Sequence, residues 1–192
     1  MKRTVFFGVL VAIVLLVFAM AVFSQTATKT KADKKAAQMP FGGKEDVAFA
    51  NDLWKAMKDY SDKWLMKSDF RIGLSPHGDF IRLYYNVVNM NSKPYHVIVK
   101  DNFGGEGATM ESVSESPSKY LVAVTVMVQR EKGYDTEDND WFWVKYNTDG
   151  TINKDEKGVE MAGRVAKGMD TGCISCHKTA RDNDFIFSND NQ

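Results

Sequence analysis

The sequence has only two cysteines, Cys173 and Cys176, and only two residues separate them. Cysteines this close together cannot link distant parts of a fold, so the chain lacks the disulfide framework that is typical of small exported domains. It also lacks an excess of positive charge, because 25 lysines and arginines balance 25 aspartates and glutamates. Nucleic-acid binding usually requires a strongly basic face, so we expect no nucleic-acid partner.

The sequence has one long apolar run, which lies at the N-terminus. Residues 5–23 are apolar, with a single glycine, and follow a basic pair. This pattern predicts an export signal at residues 1–24 that is cut after Ser24, although the run is also long enough to stay in a bilayer as an anchor. We therefore expect a periplasmic protein that contacts a membrane only through this segment.

The rest of the chain is predicted to form one linker and one domain. Residues 25–44 are rich in threonine, lysine and alanine and contain few apolar residues, which favours a flexible linker. The remaining residues, 45–192, have the length of a single globular domain. Between Asp46 and Lys67, apolar residues recur at spacings of three and four, so the domain should open with one long amphipathic helix.

Four segments predict β-strands because aromatic and β-branched residues are concentrated in them. They are residues 80–88, 95–100, 120–128 and 141–146, with residues 91–94 as the turn between the first two. In the first strand, alternation places Ile81, Leu83, Tyr85 and Val87 on one face. The connecting segments are short and lack the helices that a parallel sheet needs. The predicted fold class is α+β, a mainly antiparallel β-sheet with an N-terminal amphipathic helix and a C-terminal helix that carries the cysteine pair.

The chemistry of the chain is concentrated in the C-x-x-C-H motif of Cys173, Cys176 and His177. Two thiols at this spacing on one helical turn can each bond a haem vinyl carbon while the adjacent imidazole reaches the iron. The motif therefore predicts one covalently attached haem c, with His177 as the proximal iron ligand. Phe185 and Phe187 follow closely, and we expect them to contact the edge of the haem.

Two other interpretations of the motif stay open. A C-x-x-C pair can be a redox-active dithiol, but such a pair usually opens a long helix within a βαβ unit, which this sequence does not indicate. A structural zinc site is the other alternative. It needs a fourth ligand, and among the histidines only His77 or His96 could supply it.

The second axial position of the iron decides between electron transfer and small-molecule binding. His96 lies on a predicted strand, and Met161 and Met169 lie near the motif, so each is a candidate ligand. His77 lies in a polar loop, in the sequence Ser-Pro-His-Gly, where we expect an exposed side chain.

Three stretches of the sequence resemble the cytochrome P-460 family and its relatives, the cytochromes c′-beta. The first joins residues 172–179, which contain the C-x-x-C-H motif, to residues 182–188. The second is the strand Val97–Phe103, and the third is the tryptophan strand and turn from Asp140 to Gly150. These stretches occur in the family's order.

The resemblance implies an antiparallel sheet flanked by helices, a homodimer, and a five-coordinate haem c. In that family the open face of the haem binds nitric oxide or, in a branch with a lysine bonded to the porphyrin, oxidises hydroxylamine. The resemblance places that lysine shortly before the Val97–Phe103 strand, where Lys93 is the only lysine between residues 84 and 94.

We therefore expect a periplasmic cytochrome whose open axial site, with a largely apolar distal face, binds nitric oxide or a related small nitrogen oxide. It would pass electrons to a redox partner protein, and whether it also catalyses a reaction of such molecules stays open. One alternative is a low-spin electron carrier with a sixth protein ligand. The other is a hydroxylamine-oxidising enzyme with a lysine–haem bond.

Overall fold

The computed structural model describes residues 40–181 and 184–187. The predicted export signal at residues 1–24 and most of the predicted linker lie outside the described residues. Within residues 40–181 and 184–187, no helix is long and apolar enough to cross a membrane.

The domain is built on one antiparallel sheet, which confirms the predicted fold class. Its strands are β1 (Met66–Lys67), β2 (Arg71–Ile72), β3 (Phe80–Met90), β4 (Lys93–Phe103), β5 (Leu121–Gln129), β6 (Trp141–Tyr146) and β7 (Ala162–Gly163). The order across the sheet is β1-β3-β4-β5-β6-β7, and β2 also pairs with β3. The four long strands are therefore neighbours in sequence order, as short connections require.

The β3–β4 hairpin is longer than the sequence predicts, and its turn is tighter. Met90 pairs with Lys93, so the turn consists of Asn91 and Ser92 alone. Both have positive φ, 50° and 62°, which is the conformation of a two-residue turn that follows the twist of the strands. The predicted four-residue turn at 91–94 is wrong because residues 93 and 94 already belong to β4.

The helices are short apart from the first. They are α1 (Lys44–Ala56), α2 (Tyr60–Lys63), α3 (Met110–Glu115), α4 (Pro117–Tyr120) and α5 (Cys173–His177), with a 3-10 helix at Thr136–Asp138. The single long helix predicted up to Lys67 is wrong, because Asp59 has a left-handed backbone (φ 62°) that breaks it. Aspartate tolerates this conformation better than most residues. The apolar spacing continued past the break because Tyr60 and Trp64 are still buried in the core.

The two faces of the sheet have different roles. Alternate residues of β3 to β6 face α1 and form the main core with Ala50 and Leu53 of that helix. The opposite face carries Met127, Trp141 and Trp143, and the C-terminal segment with α5 packs over it. Strand alternation thus separates a structural face from a face that is available for a site.

On the core side of β4, Asp101 is only 4% exposed. The Tyr60 hydroxyl donates a hydrogen bond to its carboxylate. Burial raises the pKa of Asp101 to about 6, although Tyr60, Tyr84 and Arg82 oppose the shift. Since Asp101 lies between two residues whose side chains face the other side of the sheet, it fixes β4 directly behind the candidate site.

We predict that Asp101 makes the protein less stable as pH rises. Because the folded state holds the proton more tightly than the unfolded state, stability is lost as pH rises from 3.8 to about 6. The loss should be roughly 3 kcal/mol, at about 1.4 kcal/mol per pKa unit. Asp101→Asn cannot ionise and keeps an acceptor for Tyr60, so it should not show this loss. Urea unfolding of both proteins across this pH range measures the difference, and a pH-independent difference would contradict the assignment.

Candidate haem site

Helix α5 places the three motif residues on one turn. It begins after Gly172, whose φ of 127° and close approach to the Ala166 side chain would strain any larger residue. Ile174 is buried against the sheet and anchors the turn. Cys173 is half-buried, Cys176 is exposed, and both are free thiols. The geometry therefore presents two thiols and an imidazole along one edge of the space between α5 and the sheet.

His177 is buried and held in one orientation. Its Nδ1 lies 2.7 Å from the carbonyl oxygen of Phe185. A carbonyl oxygen can only accept, so Nδ1 carries the proton and Nε2 keeps its lone pair. Its ring lies 4.7 Å from that of Trp143 and 5.1 Å from that of Phe187. Burial lowers the pKa of His177 to about 4, so the imidazole is neutral at pH 7, as a metal ligand must be.

His77 is not the exposed loop residue that the sequence predicts. It is half-buried, and its ring centroid lies 6.1 Å from that of His177, at an interplanar angle of 89°. Its Nδ1 lies 3.0 Å from Oδ1 of Asn102 on β4. Burial lowers the pKa of His77 to about 3, with smaller contributions from Lys100 and His177. The expectation is wrong because a loop of polar residues gives no sign of the strand against which it folds.

Two adjoining cavities surround this pair of histidines. The larger has a volume of about 730 Å³ and contains both cysteines in its wall, and the smaller has a volume of about 220 Å³. Both are lined by His77, Ile98, Lys100, Met127, Cys176 and His177. Much of the larger wall is apolar, as in most cofactor sites.

Two polar side chains in the wall, one buried and one half-buried, have no acceptor among the described residues. Trp143 Nε1 has no hydrogen-bond partner among the described residues. Burial lowers the pKa of Lys100, and no carboxylate contributes to its shift. An occupant that carries acceptor groups would satisfy both. With two thiols, one oriented imidazole and apolar walls, these residues fit a haem.

The other candidate residues from the sequence lie at different distances from this centre. Met161 and Met169 line the larger cavity, and Met169 is 51% exposed. His96 is exposed and borders a separate open groove of about 910 Å³ that includes neither His177 nor the cysteines. Phe187 lines the smaller cavity, whereas Phe185 is buried behind His177 and contributes its carbonyl oxygen.

Lys93 lies outside the walls of both cavities. It is exposed at the hairpin end of β4. Lys100, seven residues further along the same strand, lines both cavities. Strand alternation could have found Lys100, since it shares a face with Ile98 and Asn102.

The alternative interpretations of the motif receive little support from the geometry. Burial raises the pKa of the Cys173 thiol to about 11, whereas a thiol–disulfide exchange nucleophile needs a lowered pKa. Among residues 40–181 and 184–187, no three histidine, cysteine, aspartate or glutamate side chains are grouped to hold a free metal ion. A four-ligand zinc site is therefore not formed by this part of the chain.

The fold and the site define a class of protein: a haem-binding cytochrome built on an antiparallel sheet. The family model for Cytochrome P-460 matches residues 90–188, just over half of the chain. The chain belongs to the cytochrome P-460 family, which confirms the resemblance seen in the sequence. No curated protein and no solved structure gave a significant match.

Proposed function

We propose that this chain is an exported mono-haem c-type cytochrome that exchanges electrons and binds a small nitrogen oxide such as nitric oxide. Its haem is attached through Cys173 and Cys176, and His177 is an axial ligand. The observation that carries the proposal is the oriented His177 imidazole, which lies with both cysteines in the wall of one largely apolar cavity. When bound, the haem supplies a one-electron couple and an iron coordination position.

The residues around the cavity support both parts of this proposal. Apolar side chains such as Ile98 and Met127 favour a small neutral ligand over a charged one. The sequence predicts a largely apolar distal face. His77, Lys100 and Asn102 also line the cavity, however, so its wall is more polar than that prediction. The exposed Cys176 edge gives a redox partner protein close access to the haem.

The periplasmic location rests on the N-terminal sequence. The basic start and the apolar run at residues 5–23 have the pattern of an export signal, but this segment lies outside the described residues. Analysis of the N-terminus of the protein secreted by a host cell would test it. An uncut N-terminus in the membrane fraction would favour the anchor instead.

A homodimer is also part of the proposal. Four apolar side chains near the β1 and β2 edge are strongly exposed: Leu65 (96%), Met66 (67%), Ile72 (75%) and Leu74 (74%). A group of exposed apolar residues is typical of a protein–protein contact. Sedimentation of the haem-loaded protein measures its mass, and a monomer at micromolar concentration would contradict this part of the proposal.

The function is tested by the optical spectrum of the purified, dithionite-reduced protein before and after addition of carbon monoxide or nitric oxide. We expect each gas to shift the spectrum, because a small molecule can occupy an iron coordination position. A sharp low-spin spectrum that neither gas changes would leave electron transfer as the function and remove ligand binding.

A second candidate is hydroxylamine oxidation by a haem bonded to a lysine. The observation that favours it is Lys100, which is half-buried in the cavity wall, whereas Lys93 lies outside it. A bond from Lys100 Nζ to a porphyrin carbon would replace one N–H and one C–H bond, and two electrons would pass to an oxidant such as a peroxide. Mass spectrometry of the tryptic haem peptide decides between the candidates, since the bond would join the Lys100 peptide to it.

A further inference from the structure

We infer that His77 is the second axial ligand of the haem iron in the ligand-free protein, and that a small molecule binds by displacing it. This inference rests on the proposed function, since it requires a haem held at Cys173, Cys176 and His177. It changes the expected resting state from an open five-coordinate iron to a six-coordinate iron between two imidazoles.

The hydrogen bonds fix which nitrogen of His77 is available. The Asn102 amide nitrogen donates to the carbonyl oxygens of Lys100, at 2.9 Å, and Ala123, at 3.2 Å. These acceptors define which end of the amide is the donor, so its oxygen faces His77. Because that oxygen can only accept, Nδ1 of His77 carries the proton and Nε2 keeps its lone pair.

The two histidines are therefore held in the same way. Each donates from Nδ1 to an oxygen of the protein, His177 to the Phe185 carbonyl and His77 to the Asn102 amide. Metal-binding histidines almost always make such a bond, which orients the ring and raises its basicity as a ligand. Nε2 of each ring thus keeps the lone pair with which an imidazole binds a metal.

The distance between the two ring centroids is the one expected when two imidazoles bind the same metal ion. With nitrogen–metal bonds of about 2 Å, two such imidazoles have ring centroids roughly 6 Å apart. The observed separation is 6.1 Å. In addition, the two cavities adjoin at this pair, and both are lined by His77 and His177. A flat group that passes between the rings can therefore extend into both cavities.

The other candidate ligands are less favourably positioned or oriented than His77. Met161 and Met169 line only the larger cavity, and Met169 is half exposed. Lys100 lines both cavities, but among the described residues no hydrogen bond orients its amine. His77 alone among these four combines a position beside both cavities with a hydrogen bond that fixes its ring.

The test compares the haem-loaded wild type with His77→Ala and with His96→Ala as the matched histidine control. We expect ferric and ferrous spectra to be low-spin in the wild type and in His96→Ala, and high-spin in His77→Ala. Added imidazole should return His77→Ala to the low-spin form. Near-infrared magnetic circular dichroism of the ferric wild type should identify two histidines rather than a histidine paired with methionine or lysine.

Ligand binding provides a second measurement. If less than about a tenth of the wild type has an open iron, removal of His77 should raise the apparent affinity for carbon monoxide about tenfold or more. Association to the wild type should also reach a limiting rate at high carbon monoxide, because release of His77 precedes binding, whereas the rate for His77→Ala should continue to rise.

The outcomes separate this inference from the proposed function. A wild type that retains covalent haem but is high-spin, or that stays low-spin when His77 is replaced, overturns the inference and leaves the proposed function intact. A wild type that retains no covalent haem overturns the proposed function itself. Folding of each variant is checked by circular dichroism, and the imidazole rescue shows that a high-spin variant still has an intact site.

Discussion

Replacement of both Cys173 and Cys176 with alanine should abolish covalent attachment of the haem. Each thiol is expected to form one thioether bond, and no other cysteine in the sequence can replace them. The double variant should therefore show no haem on a denaturing gel, while the wild type shows a haem-stained band at the mass of the protein. Single variants should retain haem through the remaining thioether. This is the largest effect that we expect from any change at the site.

The matched control for this experiment is Ser175→Ala, on the same helical turn. Its hydroxyl donates a hydrogen bond to the Gly172 carbonyl oxygen, at 3.2 Å, and the residue is half-buried. Attachment should be unchanged in this variant. Haem that stays on the double-alanine protein after denaturation would contradict the assignment of the cysteines and direct attention to a lysine such as Lys100 instead.

The sheet is predictable from the sequence because its pattern is local. Alternation in β3 places Ile81, Leu83 and Tyr85 on one face, and these residues line the smaller cavity as a group. The helix at the start of the domain was predictable in position but not in length, since the break at Asp59 preserves the apolar spacing. A periodic pattern reports which residues are buried, and the backbone can change direction without altering that pattern.

The site is only half predictable. The three motif residues act together because they are close in sequence, so their spacing alone indicates their chemistry. His77 and Asn102 are 25 residues apart, and their contact depends on the pairing of β3 with β4. Alternation places Lys100 on one face of β4 with Asn102, but only the assembled sheet shows that this face lines the cavities. Residues brought together by tertiary structure leave no local signal in one sequence.

The second large effect should come from Lys167, which neutralises a pair of buried carboxylates. Its ammonium group contacts Asp135 and lies 3.3 Å from Asp138, and the two carboxylates are only 3% and 0% exposed. Lys178, the residue after His177, also pairs with Asp138, at 2.7 Å. The cluster therefore ties the loop between β5 and β6 to the end of the haem-binding helix.

Lys167→Met should lower the free energy of unfolding by about 3 to 5 kcal/mol at neutral pH, because loss of one partner leaves a buried carboxylate uncompensated. Lys178→Met should cost less, since Lys167 still serves both carboxylates, and the exposed Lys157 provides a control that should change little. Urea unfolding of the haem-loaded proteins measures these differences.

The pH dependence of the stability deficit in Lys167→Met tests whether that deficit is electrostatic. Burial already raises the pKa of Asp135, and Asp138 raises it further, while Lys167 opposes both. Without Lys167, Asp135 should take up a proton more readily, and a neutral carboxyl costs less to bury than a charged one. The deficit of Lys167→Met should therefore shrink as pH falls towards the range where Asp135 is protonated. A deficit of the same size at acidic and neutral pH would contradict this electrostatic cause, and packing of the lysine's aliphatic chain would not explain the deficit either, since methionine largely retains that packing.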